Sequence, residues 1–240
     1  MMKKSTLTAL IVALAAGTSQ AAPINWGAAQ DTTASAANDI INGGTVVLAL
    51  NGHNFANDAD GPADVTLDGV TFLGESFLGN NQEAGNLLEE NTTGDADYDV
   101  LLNNAAIADL TGPNISGAAN NDIVYTFGGL TASTDYLIQV WYTEERDDAF
   151  DGALIGREQT LGDDGQSGST VVIAGQGANG FGQFAVGSFT ADAATQDLSV
   201  VTNGFGRSHI TAILVREVPE PSSLALLGLG SLLVARRRHA

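Results

Sequence analysis

Apolar residues along the chain fall into short runs separated by glycine, asparagine, aspartate and threonine, the residues that favour turns. Thr45 to Leu50 is an apolar, β-branched run bounded by Gly43-Gly44 and Asn51-Gly52, the pattern of a buried strand. Val65-Thr66-Leu67 and Val70-Thr71-Phe72 alternate on either side of Asp68-Gly69, which predicts a tight hairpin. Ahead of these, Ile24 to Gly27 is a short extended piece carrying Trp26, and Asp31 to Gly44 is polar and turn-like. One segment has a different period. Tyr98, Leu101, Leu102 and Ala105 recur at i, i+3, i+4 and i+7, predicting a short helix, with Asp95 and Asp97 placed to cap its free amides and complement its dipole.

The segment from Ile123 to Glu145 is the most informative. Ile123 to Phe127 predicts a strand, Gly128-Gly129 a turn, and Tyr136 to Tyr142 a second strand in which Tyr136, Ile138, Val140 and Tyr142 alternate with Leu137, Gln139 and Trp141. Apolar or aromatic residues on both faces mark a central strand, either packed on both sides or with one side facing a ligand. Leu130 and Tyr136 have the spacing of a tyrosine corner, in which the hydroxyl ties the strand entry to the preceding loop. Further strands are expected at Ser169 to Ala174, Gly182 to Thr190, Asp197 to Thr202 and His209 to Arg216. No fixed repeat period is present, which argues against a solenoid or propeller. Many short strands and one short helix predict an all-β fold, a single jelly-roll-like β-sandwich over residues 22–217.

Both ends of the chain depart from this pattern. Lys3 and Lys4 precede an apolar region from Leu7 to Ala16, and Ser19 and Ala21 occupy the two positions a signal peptidase reads, so residues 1–21 are expected to be a secretory signal peptide cleaved after Ala21. At the other end, residues 218–240 begin with Val218-Pro219-Glu220-Pro221 and continue into an uncharged run, Leu224 to Ala235, that ends in Arg236, Arg237 and Arg238. As a helix these twelve residues cover about 18 Å, well short of the ~30 Å hydrocarbon core, and the arginines tend to stay cytoplasmic. The prolines separate this short hydrophobic helix from what precedes it. Motif, short helix and basic stop, in that order, resemble the PEP-CTERM sorting signal of exported bacterial proteins. The resemblance implies processing by an exosortase, a membrane protease-transpeptidase acting near the Pro-Glu-Pro, in a Gram-negative-type host that often makes exopolysaccharide. The protein is then expected to be exported to the cell surface or extracellular space, with a transient hold on the inner membrane.

Charge narrows the partners. Residues 22–221 keep four arginines and no lysine against all 28 acidic residues, a formal charge of −24. Phosphate backbones repel such a surface, so no nucleic-acid partner is expected, whereas solubility and cation binding are favoured. Cysteine is absent, so no disulfide framework supports the fold. The three histidines, His53, His209 and His239, are isolated in sequence and make a poor zinc set. There is no Gly-x-Ser-x-Gly elbow and no His-Glu-x-x-His, and no catalytic residue is assigned.

Candidate chemistry gathers after the central strand, where Thr143 to Asp151 packs five acids and Arg146 into a segment running toward Arg157. Loops at a sandwich rim collect binding groups on a rigid scaffold. Trp141, Tyr142, Glu144, Arg146 and Arg157 are the types a sugar site uses, a flat ring for the C–H face and charged groups for hydroxyls. Calcium is the one candidate cofactor, with Asp147, Asp148, Asp151, Asp163 and Asp164 as ligands, since hard cations favour clustered carboxylates. Asp95, Asp97 and Asp99 alternate like the start of a calcium loop but lack its glycine and closing glutamate. The plan from Ile24-Asn25-Trp26 through Asp68 to Phe72, Tyr98 to Leu102 and Gly129 to Trp141, ending at Ile210 to Val215, resembles galactose-binding-like jelly-roll modules. That resemblance implies a structural or carbohydrate-binding role, with exopolysaccharide as partner; the alternative is a carbohydrate-active enzyme using Glu144 or Glu145.

Overall fold

A computed structural model of the chain describes residues 22–52, 64–74, 82–84, 87–88, 91–107, 123–145, 157–163, 168–203 and 208–219. The described elements are β1 (Asn25–Trp26), β2 (Gln30–Asp31), α1 (Ala36–Asp39), β3 (Thr45–Asn51), β4 (Val65–Leu67), β5 (Val70–Phe72), β6 (Gln82–Ala84), α2 (Ala96–Asn103) and β7 (Ala105–Ile107), then β8 (Ile123–Gly128), β9 (Asp135–Tyr142), β10 (Glu158–Gly162), β11 (Val171–Ala174), β12 (Gln183–Thr190), β13 (Thr195–Asn203), β14 (His209–Ile210) and β15 (Ala212–Glu217). The main sheet has six strands in the order β1-β12-β9-β15-β3, with β2 also on β12. A second sheet runs β11-β10-β13-β8, and every ladder in the two is antiparallel.

Two cores follow from the pleat. Successive strand residues point to opposite faces, so an element apolar on both must be covered twice. On one face of the main sheet, Ile138, Val140, Tyr142, Ala185, Ile213 and Val215 meet Phe127, Leu161, Ile173, Leu198 and Val200 of the second sheet, making the β-sandwich. On the other face, Ala49, Trp141, Phe184, Ala212 and Leu214 lie under a layer built from α1, α2 and the β4-β5 hairpin, which contributes Ile40, Leu67, Phe72, Tyr98 and Leu101. Trp141 packs edge-on against Phe72 at 5.8 Å and beside Phe184 at 6.0 Å. Of the two readings of the central strand, packing on both sides is therefore the one that holds, and Trp141 presents no face to a ligand because residue 141 alternates toward the hairpin layer.

Local chemistry fixes the joints between these layers. Asp68 and Gly69 have φ of 47° and 76°, the left-handed pair of a type I′ turn, which joins β4 to β5 in matching twist. The amide of Thr131 donates to the Tyr136 hydroxyl at 2.8 Å, closing the tyrosine corner. Asp95 caps α2, accepting from the amides of Asp97 and Tyr98 at 3.1 and 3.2 Å, and Asp99 accepts from the Thr93 amide at 2.7 Å. The alternating aspartates thus serve helix entry. Gln139, the polar residue of the apolar strand, is fully used: its amide donates to the Asp39 carbonyl at 2.6 Å and its oxygen accepts from Ile41 N at 2.9 Å. Buried Asp39 in turn accepts from Thr33 N and from the Tyr98 hydroxyl, each at 2.7 Å, and burial together with that carboxylate pushes the Tyr98 phenol well above its ordinary range.

The structure adds to the predicted pattern, with strands β2, β6 and β10 among those not expected. Two helices are present among the described residues where one was expected, because the polar stretch from Asp31 to Gly44 contains α1, a single turn too short to show a period. The expected helix stops at Asn103, and Ala105 begins β7 instead. The final apolar run divides at Thr211 into β14, which pairs with β7, and β15, which enters the main sheet between β9 and β3. Packing on both faces of β9 makes a quantitative prediction. Trp141→Ala should lower unfolding free energy by about 3–5 kcal/mol, and Tyr136→Phe by about 1 kcal/mol, in urea titrations. A Trp141→Ala cost under about 1 kcal/mol would mean that the second layer is not packed as described.

Candidate functional site

At the end of β9 the chain leaves the ladder but not the interior. Thr143 and Glu144 are 0% exposed and Glu145 is 8% exposed. Their backbone is anchored to separate segments: Thr143 N donates to Thr211 Oγ1 at 3.0 Å, Glu144 N to the Gly175 carbonyl at 2.8 Å, and Glu145 N to the Leu87 carbonyl at 2.9 Å. The Thr143 hydroxyl donates to the Phe181 carbonyl at 3.1 Å. The first two acids of the acidic segment are thereby clamped inside the protein rather than solvated at its rim.

Glu144 is the centre of a buried ionic cluster. Its Oε2 lies 3.3 Å from Arg157 Nη1 and 3.5 Å from His209 Nε2. Arg157 stands at the entry to β10, and its carbonyl accepts from Gly175 N at 2.9 Å, so the loop that holds the Glu144 backbone also holds the Arg157 backbone. His209, in β14, places Nε2 at 3.3 Å from the Thr143 carbonyl as well. The Glu144 carboxylate and the Thr143 carbonyl are both acceptors, which a hydrogen on Nε2 would satisfy. The imidazole ring packs edge-to-face on Tyr142, with centroids 4.7 Å apart. Burial pushes the Tyr142 phenol well above its ordinary range, against the opposing pull of the Arg157 charge. Beside this group the Asn91 amide donates to the Glu145 carboxylate.

Such a cluster can fix three segments of chain with high specificity. Two charges removed from water need each other and further hydrogen bonds, and removing one member costs far more than the intact pair contributes. A carboxylate held between a guanidinium and an imidazole N–H is a positioned acceptor. As a proton acceptor for an external substrate it would first need a path, and Glu144 is fully buried.

Of the residues expected to meet a ligand, the structure brings Tyr142, Glu144 and Arg157 together and sends Trp141 to the opposite face of the sheet. Arg146, Asp147, Asp148, Asp151 and Asp164 lie outside the described residues. Asp163, offered as a calcium ligand, is buried and uses Oδ2 to accept from Ile24 N at 3.2 Å and Gly168 N at 3.0 Å, tying the first strand to the second sheet. Among the described residues no group of three or more acidic or histidine side chains is arranged to hold a metal ion. His209, isolated in sequence, reaches Glu144 only through the fold. The available signal was a Ser-His pair opening an otherwise apolar final run.

Of the sorting residues, Pro219 is exposed directly after β15, and Glu220, Pro221, Arg236, Arg237 and Arg238 lie outside the described residues. Residues 217–238 match the PEP-CTERM protein-sorting motif. The chain therefore carries the sorting signal of exported proteins processed by exosortase, as its tail implied. No curated protein and no solved structure matches it, and the likeness to galactose-binding-like modules stays one of sequence plan. Among the described residues no helix is long and apolar enough to cross a membrane; Leu224 to Ala235 lies outside them.

Removing one charge tests the cluster. Glu144→Gln should cost on the order of 3 kcal/mol in stability, and adding Arg157→Met should restore part of that loss. Strict additivity of the two substitutions in denaturant titrations would show that the residues are not coupled.

Proposed function

We propose that this protein is a non-catalytic β-sandwich displayed at the cell surface or in the extracellular matrix, where its role is structural or glycan-contacting. The observation that carries the reading is the junction between fold and signal. Strand β15, buried from Ala212 to Arg216 in the middle of the main sheet, runs into the sorting motif with no linker, and Val218 N donates to the Asp135 carbonyl at 2.8 Å. The whole domain is thus presented as one body on its tail.

The front end supports export in the same way. Ala22 and Ile24 belong to the sandwich core, and the Gln196 amide donates to the Ala22 carbonyl at 2.8 Å, so cleavage by signal peptidase after Ala21 leaves a terminus built into the fold. Exosortase is the second processing partner, and Leu224 to Ala235 is the transient membrane hold before it acts. The antiparallel register gives the displayed body an orientation. Glu217 pairs with Tyr136 at the attachment end, and Ala212 with Trp141 at the other, about 17 Å away. The Glu144–Arg157–His209 cluster belongs to that far end, the one turned toward neighbouring polysaccharide.

Fractionation of the native host together with a glycan array tests this reading. The mature domain should be found outside the cytoplasm and should leave every arrayed glycan uncleaved, with exopolysaccharide fragments the binders if any are bound. Glycan turnover that is lost in Glu144→Gln or Glu145→Gln would replace the proposal with a carbohydrate-active enzyme. A location unchanged by deleting residues 219–240 would remove the display argument.

A further inference from the structure

We propose that the native sandwich confines the sorting enzyme to Pro219 and the residues after it, so that processing proceeds with β15 in place and uses no substrate contact upstream of Pro219. The proposal rests on the exosortase reading and adds to it the part of the substrate that is available. Enzymes that bind a chain in extended form pair with its free backbone N–H and C=O groups. In β15 both edges are already paired: Ala212 to Glu217 lie against β9 on one side and against β3 on the other. Val218 N is committed to the Asp135 carbonyl.

Side chains hold the same segment. Ile213 and Val215 fill the sandwich core, and Ala212 and Leu214 fill the core on the opposite face. Arg216, one of four basic residues between the two processing sites, is 7% exposed and donates to the Gly44 carbonyl at 3.4 Å. The backbone contact there is close: a Cβ on Gly44, whose φ is 73°, would stand 1.9 Å from the Glu217 carbonyl oxygen. Lifting Glu217 and Arg216 out would break two ladders. Pro219 is exposed, and Val218, which precedes it, is sterically biased to extended backbone. The first readable residue of the signal is therefore Pro219.

The cross-strand pair Thr45 and Glu217 provides the test, because directly opposed residues are close enough for a disulfide and the chain has no other cysteine. The full chain carrying Thr45→Cys and Glu217→Cys is expressed in an exosortase-bearing host, and tail loss is followed by intact mass with and without cross-linking. The cross-linked form should lose its tail within about twofold of the parent rate. Retention of the tail only when the strand is cross-linked, with processing slowed more than about tenfold, would overturn the proposal. A short Gly-Ser insertion between Val218 and Pro219 gives a second reading that needs no disulfide. Unchanged processing supports the proposal, and acceleration by about tenfold or more overturns it. A parent chain that keeps its tail equally in hosts with and without exosortase would instead defeat the sorting reading beneath the proposal.

Discussion

Every side chain of β9 from Tyr136 to Tyr142 is buried except that of Leu137, and β15 beside it is buried from Ala212 to Arg216, so the main sheet has to be covered on both faces. That constraint accounts for the three layers. The second sheet covers one face, and among the described residues two short helices and a hairpin cover the other. It also accounts for the behaviour of the polar groups in those strands. Gln139 has to find Asp39 and Ile41, and Arg216 reaches Gly44, because neither can turn toward water.

The same constraint reaches beyond the end of β9. The Tyr142–Glu145 segment remains inside, so its first carboxylate is paired with Arg157 and His209 from two other segments. In a chain with 28 acidic residues and few cations, placing a histidine and one of the four arginines of residues 22–221 around a single glutamate is an uneven distribution. It concentrates polar specificity at the end of the sandwich opposite the sorting signal. At the attachment end, by contrast, the chain passes from buried strand to exposed Pro219 within three residues of Arg216. Fold and address meet at Val218, whose amide is still held by the Asp135 carbonyl.

How much of this was legible from the sequence depended on how local each cause was. The Asp68-Gly69 hairpin, the Tyr136 corner and the Asp95 cap are set by residues within a few positions of one another, and each is present as expected. The two-faced character of β9 was equally plain, but composition alone left open whether Trp141 faced a second layer or a ligand, since an aromatic ring suits both. The short elements α1, β6 and β7 carry three or four residues each, too few to display a period. His209 was invisible for a different reason. Its contact with Glu144 spans 65 positions and exists because the β15–β9 register sets Ala212 against Trp141, which draws the preceding strand alongside Thr143. No spacing rule within the sequence encodes a contact made by strand register.

Native-state hydrogen exchange of the folded chain, resolved to single amides, tests the central claim that the sheet is rigid up to the sorting signal. Amides of Ile213 to Glu217 should exchange with the slowest class, alongside those of Ile138 to Trp141 in β9, through global unfolding. Exchange of the Val215 to Glu217 amides many orders of magnitude faster than those of β9 would show that the last strand frays in the native state, and would contradict the account.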